Sequence, residues 1–429
     1  AATLPASLLH FSLLCFPLGV CWYVNTFVAQ YYGARRYDRI GLVLGQVLRL
    51  ALYVSPVLLL LAPLFADTFR LVGHELELAA LEAQYFLIVA LGGVFVLGNA
   101  AMRSFFMGRG DTRTVMLIDT GGAALNMLFD WVLIFGHFGL PALGLEGAAW
   151  ATVLALAVKS VVLWRLLHLR RFRRQYAMDR IWSFDAPMMR RLLYFGAPNG
   201  LQMFVDIAGF TVFSLLVGSL SPEAMAATTL AFNVNSVAFV PMIGVGMAIG
   251  TMVGHQQGAG RPDLAARAAW SGFCIAALYM GFFAALYVTV PDLFLFGFAV
   301  GSTAAEFSVL RDTVVVLLRF VAAYCLFDAL AVVFCSAIKG AGDTRFVVAA
   351  NAAVALPAVL AGWYGVTQLN WNLYACWTLQ TVWISALGST FFVRFLQGKW
   401  RTMQVIEVDV TTLPAAAAPT IAEAAAEVA

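Results

Sequence analysis

Runs of largely apolar residues follow one another along this chain, separated only by short polar breaks. Each reaches the roughly eighteen residues that a helix needs to cross about 30 Å of hydrocarbon at about 1.5 Å per residue. About eleven such spans are expected, over 4–30, 43–64, 79–107, 114–137, 146–168, 193–218, 224–253, 265–290, 311–336, 345–365 and 372–396. A transmembrane barrel would show short alternating strands with polar inward positions, whereas these runs are continuously apolar with Gly and Pro inside them, as helices in lipid allow. The composition agrees: 62% of the 429 residues are hydrophobic and 11% charged, against about a quarter charged in soluble domains. The expected fold is all-α and polytopic.

Arg and Lys gather in alternate breaks. Arg35, Arg36 and Arg39 follow the first span, Arg109 and Arg113 the third, and Arg170, Arg171, Arg173, Arg174 and Arg180 the fifth. Arg261 and Arg267, Lys339 and Arg345, and Arg394, Lys399 and Arg401 continue the series, while the breaks 137–147, 219–223 and 368–372 carry neither. The positive-inside rule places the basic breaks and the C-terminus in the cytoplasm. This topology, rather than a nucleic-acid partner, accounts for the arginine run at 170–174. Cys15, Cys21, Cys274, Cys325, Cys335 and Cys376 all fall inside apolar spans without metal-ligand spacing and read as small buried hydrophobes. The start of the chain lacks the basic region of a signal peptide. Residues from about 414 to 429 are Ala-rich and read as a disordered tail.

Two motifs recur. Val28, Ala29, Gln30, Tyr31, Tyr32, Gly33, Ala34 parallels Val253, Gly254, His255, Gln256, Gln257, Gly258, Ala259, and Gly108 to Arg113 (GRGDTR) parallels Gly340 to Arg345 (GAGDTR). The second copies lie 225 and 232 positions after the first, both on the basic side, which points to one parallel duplication. Copies of the same orientation need an even number of spans. The second copy has six and the first five, so two six-helix lobes are expected, with the first helix of the N-lobe missing upstream of Ala1. The organisation is then an N-lobe at 1–168, a cytoplasmic basic linker at 169–192, a C-lobe at 193–396 and a cytoplasmic, partly disordered tail at 397–429.

Ionisable groups in hydrocarbon cost about 2.5 to 3.5 kcal/mol each on insertion scales, so those that persist point to function. Asp206 falls near the middle of 193–218, Asp328 in the inner half of 311–336 and Asp130 in the outer half of 114–137. A carboxylate held at such depth can take up and release a proton or hold sodium, which is the minimal chemistry of ion coupling. Asn126 and Asp130, four residues apart, share a helix face, and Thr152 on the next helix can join them; an interhelical hydrogen bond is the structural alternative. Asn233, Asn235 and Ser236 add polar atoms near mid-membrane. Phe204, Phe232, Phe239 and Met242 are candidates for an apolar wall that tolerates cations, against the alternative of lipid-facing or core positions. The GxGDTR breaks lack the Gly-Lys-Ser/Thr ending of a phosphate loop and lie between two spanning helices, so they are expected to form turns with an intracellular salt bridge. No nucleotide-hydrolysing domain, metal cluster or nucleophile motif is present, and His10, His74, His137, His168 and His255 are isolated.

The chain resembles the multidrug and toxic compound extrusion (MATE) family over nearly its whole length. The resemblance is carried by Gly110, Asp111, Thr112 and Arg113, leading through Asn126 and Asp130 to Ile134, Phe135 and Gly136. Gly139, Leu140, Pro141, Ala142, Leu143, Gly144, Gly147, Ala148 and Ala149 continue it. Pro198 with Asp206 looks like the family's seventh helix, and Asp328 followed by Lys339 and Gly340 like its tenth. The resemblance implies twelve helices in two lobes, Asp206 and Asp328 as cation-coupling acids of the C-lobe, and Asn126, Asp130 and Thr152 as part of an N-lobe ion site. It also implies a further aspartate on a first helix that has no counterpart in the chain. The expected function is antiport: export of organic, often cationic, solutes against protons or sodium, by a monomer in a bacterial inner membrane, with no cofactor. A lipid-linked precursor flippase of the same superfamily is the alternative, for which Lys159 and Arg103 are the available cations. A membrane-embedded enzyme is the third reading, and no constellation of residues supports it.

Overall fold

The computed structural model describes residues 3–71, 76–299 and 304–407. The first half contains α1 (Thr3–Gly33), α2 (Asp38–Ala66), α3 (Thr68–Leu71), α4 (Leu76–Leu91), α5 (Gly93–Gly108), α6 (Thr112–Phe135), α7 (Gly144–Leu167) and the short α8 (Arg170–Gln175). The second contains α9 (Ala186–Gly218), α10 (Pro222–Gly258), α11 (Pro262–Thr289), α12 (Asp292–Ala299), α13 (Ala304–Ala341), α14 (Thr344–Gln368) and α15 (Leu373–Leu396). Among the described residues there is no strand. Ten of the described helices are long and apolar enough to span a membrane, and the pair α4 and α5, bent by 45°, makes an eleventh. The protein is a polytopic helical membrane protein.

The expected spans lie within these helices, which run on past the apolar runs because caps and turns end them. α9 starts well before residue 193: Asp185 accepts a hydrogen bond from the Met188 N–H at 2.9 Å, with a proline in the first turn. Ser221 caps α10 in the same way through Ala224 at 3.1 Å. The third span is broken where the sequence suggested one continuous helix. The bend falls at Gly92 and Gly93, a glycine pair that leaves the backbone free to kink. Of the two GxGDTR turns, the second carries the expected salt bridge, Arg394 to Asp343 at 2.6 Å. The first instead caps α6, Asp111 accepting from the Thr114 N–H at 3.3 Å and its hydroxyl at 2.9 Å.

Packing gathers the helices into two bundles. One apolar core is built from residues of the second half of the chain, from Phe213 to Trp400, and two others come almost wholly from the first half. α1 lies along both α9 and α10 and so joins the bundles. Large apolar side chains such as Leu60, Leu215, Leu278 and Leu360 point outward, as lipid-facing positions require. Residues 408–429, where the disordered tail was expected, lie outside the described residues. Residues 399–407 are ordered against both bundles.

Candidate functional site

Between the bundles lies a cavity of about 1030 Å³. α1 contributes its first turns, from Pro5 to Ser12, α9 Asp206, Ile207, Phe210 and Thr211, and α10 Phe232, Asn235, Ser236 and Phe239. α13 adds Tyr324 and Asp328, and α15 Gln380, Trp383, Ile384 and Leu387. On each helix these positions recur at three- or four-residue intervals, the spacing of one helix face. α1 runs from the cavity rim to Gly33, so the cavity occupies the half of the molecule away from the basic breaks.

Two carboxyls share this wall in different settings. Asp206 faces the cavity, and two amides hold it: Asn351 of α14 donates from Nδ2 to Oδ1 at 2.5 Å, and Gln202, one turn back on α9, from Nε2 to Oδ2 at 3.4 Å. Asp328 is 8% exposed and makes no hydrogen bond or ion pair among the described residues. A carboxyl without a protein partner in so apolar a wall is expensive. The rest of the wall is mainly aromatic and aliphatic, with Phe232 stacked on Trp377 at 5.1 Å.

The opposite end is closed. Asn25 donates to the Thr251 hydroxyl at 3.0 Å, Tyr23 to the Lys339 carbonyl at 2.9 Å, Gln30 to the Gly340 carbonyl at 2.9 Å, and the His255 ring N–H to the Gly108 carbonyl at 2.7 Å. Every one of these bonds crosses between the bundles. The segment 403–407 crosses the same seam. Its Val405 N–H donates to Gln30 Oε1 at 2.8 Å, its Met403 carbonyl accepts from Gln257 at 2.6 Å, and Glu407 accepts from the Tyr31 hydroxyl at 2.8 Å.

Asp206, Asp328, Asn235 and Phe232, all singled out from the sequence, therefore line one cavity. Asn233, Phe204 and Met242 do not, and their expected place on the wall is corrected. Asn233 and Phe204 stand two residues from Asn235 and Asp206, about 200° around the helix at about 100° per residue, and both are exposed on other faces. Met242 is 1% exposed and belongs to the second bundle's core, at a depth where Gly246 already brings α10 against Val332 of α13. Asn126 and Asp130 lie on α6 and Thr152 on α7, away from this cavity. No hydrogen bond joins the three among the described residues: the Thr152 hydroxyl donates to the Ala148 carbonyl at 3.1 Å, and Asn126 Nδ2 is buried without an acceptor.

Sequence reasoning passed over Gln202, Asn351, Tyr324 and Gln380, because amides and phenols in apolar runs stand out less than acids. It also passed over Asp119 inside the fourth span, which pairs with Arg103 at 2.6 Å and Lys159 at 2.5 Å. The signal was present, since two cations on neighbouring spans call for a counter-charge. The pairing also engages both cations available to a carrier of anionic headgroups.

The profile of the MatE family matches residues 1–132 and 198–363, covering helices of both bundles. The chain belongs to the MatE family. Its relatives in that family include the "Probable multidrug resistance protein NorM" of Bradyrhizobium diazoefficiens, 31% identical over 362 residues, 81% of this chain and 75% of the relative. Another is the multidrug resistance protein PmpM of Pseudomonas aeruginosa, 30% identical over 327 residues, 74% of this chain and 66% of the relative. The MatE fold is seen in an outward-facing multidrug resistance MATE transporter of the MOP superfamily, which superposes with a TM-score of 0.83 at 18% identity over 94% of this chain and 89% of that one. As a MatE protein the chain is an integral-membrane transporter.

Proposed function

We propose that the protein is a secondary antiporter that exports organic, often cationic, solutes in exchange for protons or sodium. The observation that carries this reading is the placing of Asp206 and Asp328 on one wall of a cavity large enough for an organic solute and otherwise mostly apolar. The names of the NorM and PmpM relatives speak for multidrug export. With the basic breaks and the C-terminus in the cytoplasm of a bacterial inner membrane, the closed seam is cytoplasmic and the cavity faces outward. Protons or sodium reach the carboxyls from outside and displace the solute, and the N-lobe (1–168) then rocks against the C-lobe (193–396) about the linker 169–192. Asn126, Asp130 and Thr152 form a second ion station in the N-lobe, a role motivated by the helix face that the first two share. We take the transporting unit to be a monomer, since both lobes are carried on one chain.

The test is dye efflux from vesicles carrying the protein under imposed proton or sodium gradients. Asp206→Asn and Asp328→Asn should each reduce gradient-driven efflux by about tenfold or more, the scale of losing one charge-dependent interaction. Efflux that keeps its gradient dependence in both variants sinks the coupling role.

A further inference from the structure

Asp206 is met by two terminal amides, and both point the same way. Each presents its N–H to the carboxyl, as only that orientation lets an amide bond a carboxylate. The other end of each amide, Asn351 Oδ1 and Gln202 Oε1, is buried with no donor. Buried acceptors are nearly always satisfied, so two unsatisfied ones flanking a single carboxyl call for a reason. They are also what the site lacks for its other charge state. A protonated Asp206 becomes a donor, and half a turn about the terminal torsion of Asn351 offers it Oδ1 as acceptor. With sodium the same turn brings amide oxygens beside the carboxylate, the ligand type that hard cations prefer. Terminal amide torsions are soft, so either exchange needs no backbone movement.

We propose that Asn351 and Gln202 are positioning residues that act through Asp206, donating to it while it is charged and accepting once it holds the coupling cation. The inference rests on Asp206 being a coupling acid. Asn351 is the stronger of the two, with the shorter bond and 1% exposure on α14, a helix that contributes no side chain to the cavity wall. The other charged and titratable groups facing Asp206 come from α13. Lys339 exerts its charge from the basic end while donating to Asn199 at 3.2 Å, Cys335 lies 3.8 Å from the Gln202 amide, and Tyr324 and Asp328 share the cavity. α10 and α15 offer the amides of Asn235 and Gln380, and α1 the Ser12 hydroxyl.

The experiment uses the full-length protein in proteoliposomes, with dye exchange measured in a pH series at fixed sodium and a sodium series at fixed pH. The readout is the cation concentration at half-maximal exchange. Asn351→Leu, which keeps the shape but neither polar end, should move that midpoint by about tenfold, the scale of one hydrogen bond to a charged group. Gln202→Leu should move it in the same direction by less. Asn351→Ser, which can still donate and accept, should fall nearer the parent. Midpoints within about twofold of the parent in both Asn351→Leu and Gln202→Leu overturn the proposal, and where Asn351→Leu fails to fold an unmoved Gln202→Leu overturns it alone. An Asp206→Asn protein that retains gradient-driven exchange overturns the reading of Asp206 as a coupling acid, and this outcome is distinct from the first.

Discussion

Gly33, at the end of α1, packs so closely on the carbonyl of His255 in α10 that a Cβ would overlap it. The contact recurs with the partners exchanged, since Gly258 of α10 lies in the same way on the carbonyl of Gln30 in α1. Gly258 follows Gly33, and His255 follows Gln30, by 225 positions each. The duplication read from the sequence therefore reappears as one backbone contact made twice about an approximate two-fold axis. Only glycine fits at either end of it, which explains why the two motifs share that residue.

Gly33→Val and Gly258→Val should consequently have similar effects. Overpacking of this kind costs about 1–3 kcal/mol, here paid in the state whose seam is closed. Both variants should melt several degrees below the parent in detergent. In a background without the six native cysteines, a disulfide between cysteines placed at Asn25 and Thr251 should form in lower yield. A valine at either position that crosslinks and melts like the parent would remove the glycines from the account of closure.

Much of this was legible beforehand, and the exceptions have physical causes. Span positions followed from length and hydropathy, because lipid imposes a minimum apolar run on every crossing helix. The bend at Gly92 was not predicted, since glycines are scattered through these helices and only packing decides which of them kinks. Helix faces were harder still. In a water-soluble helix polarity marks the exposed side, but α10 is apolar nearly all round, and its sequence does not distinguish Phe232 and Asn235, which reach the cavity, from Asn233 and Met242, which do not. Asp206 and Asp328 escaped that ambiguity because a carboxyl in an apolar run has few tolerable surroundings.

The lone carboxyl of Asp328 should weigh on the stability of the fold. Nothing among the described residues bonds it, so its burial is a net cost to the fold. Asp328→Leu is expected to raise the melting temperature, by an amount corresponding to about 1–2 kcal/mol, while abolishing gradient-driven efflux. A clear fall in melting temperature would show that the carboxyl has partners in the folded protein.

Asp119 should behave in the opposite way. It neutralises Arg103 and Lys159 at once, and all three are at least two-thirds shielded. Removing it leaves two cations facing each other among apolar helices. Breaking a fully buried pair costs about 3–5 kcal/mol, and with partial exposure about 1–3 kcal/mol is expected for Asp119→Asn. Adding Lys159→Met should recover part of that loss, which a double-mutant cycle on thermal melting would show as a coupling above about 0.5 kcal/mol. Additive effects would mean that the three charges act independently.

The segment 403–407 is bonded to both bundles at the closed end and should help to hold the seam shut. Ending the chain after Thr402 removes the Val405 N–H from Gln30 Oε1, the Met403 carbonyl from Gln257, the Val405 and Ile406 carbonyls from Arg191, and Glu407 from Tyr31 and Arg36. Gln257 keeps the Arg401 carbonyl at 2.8 Å, whereas Gln30 Oε1 is left buried without a donor. One such loss costs about 1–3 kcal/mol, and it falls on the residue that Gly258 packs against. The shortened protein should melt lower and label faster at a cysteine placed at Ala29, beside Gly254 in the seam. A chain ending after Glu407 keeps every one of these bonds and is the control. Equal melting and equal labelling in the two truncations would show that α1 and α10 hold the seam without the segment.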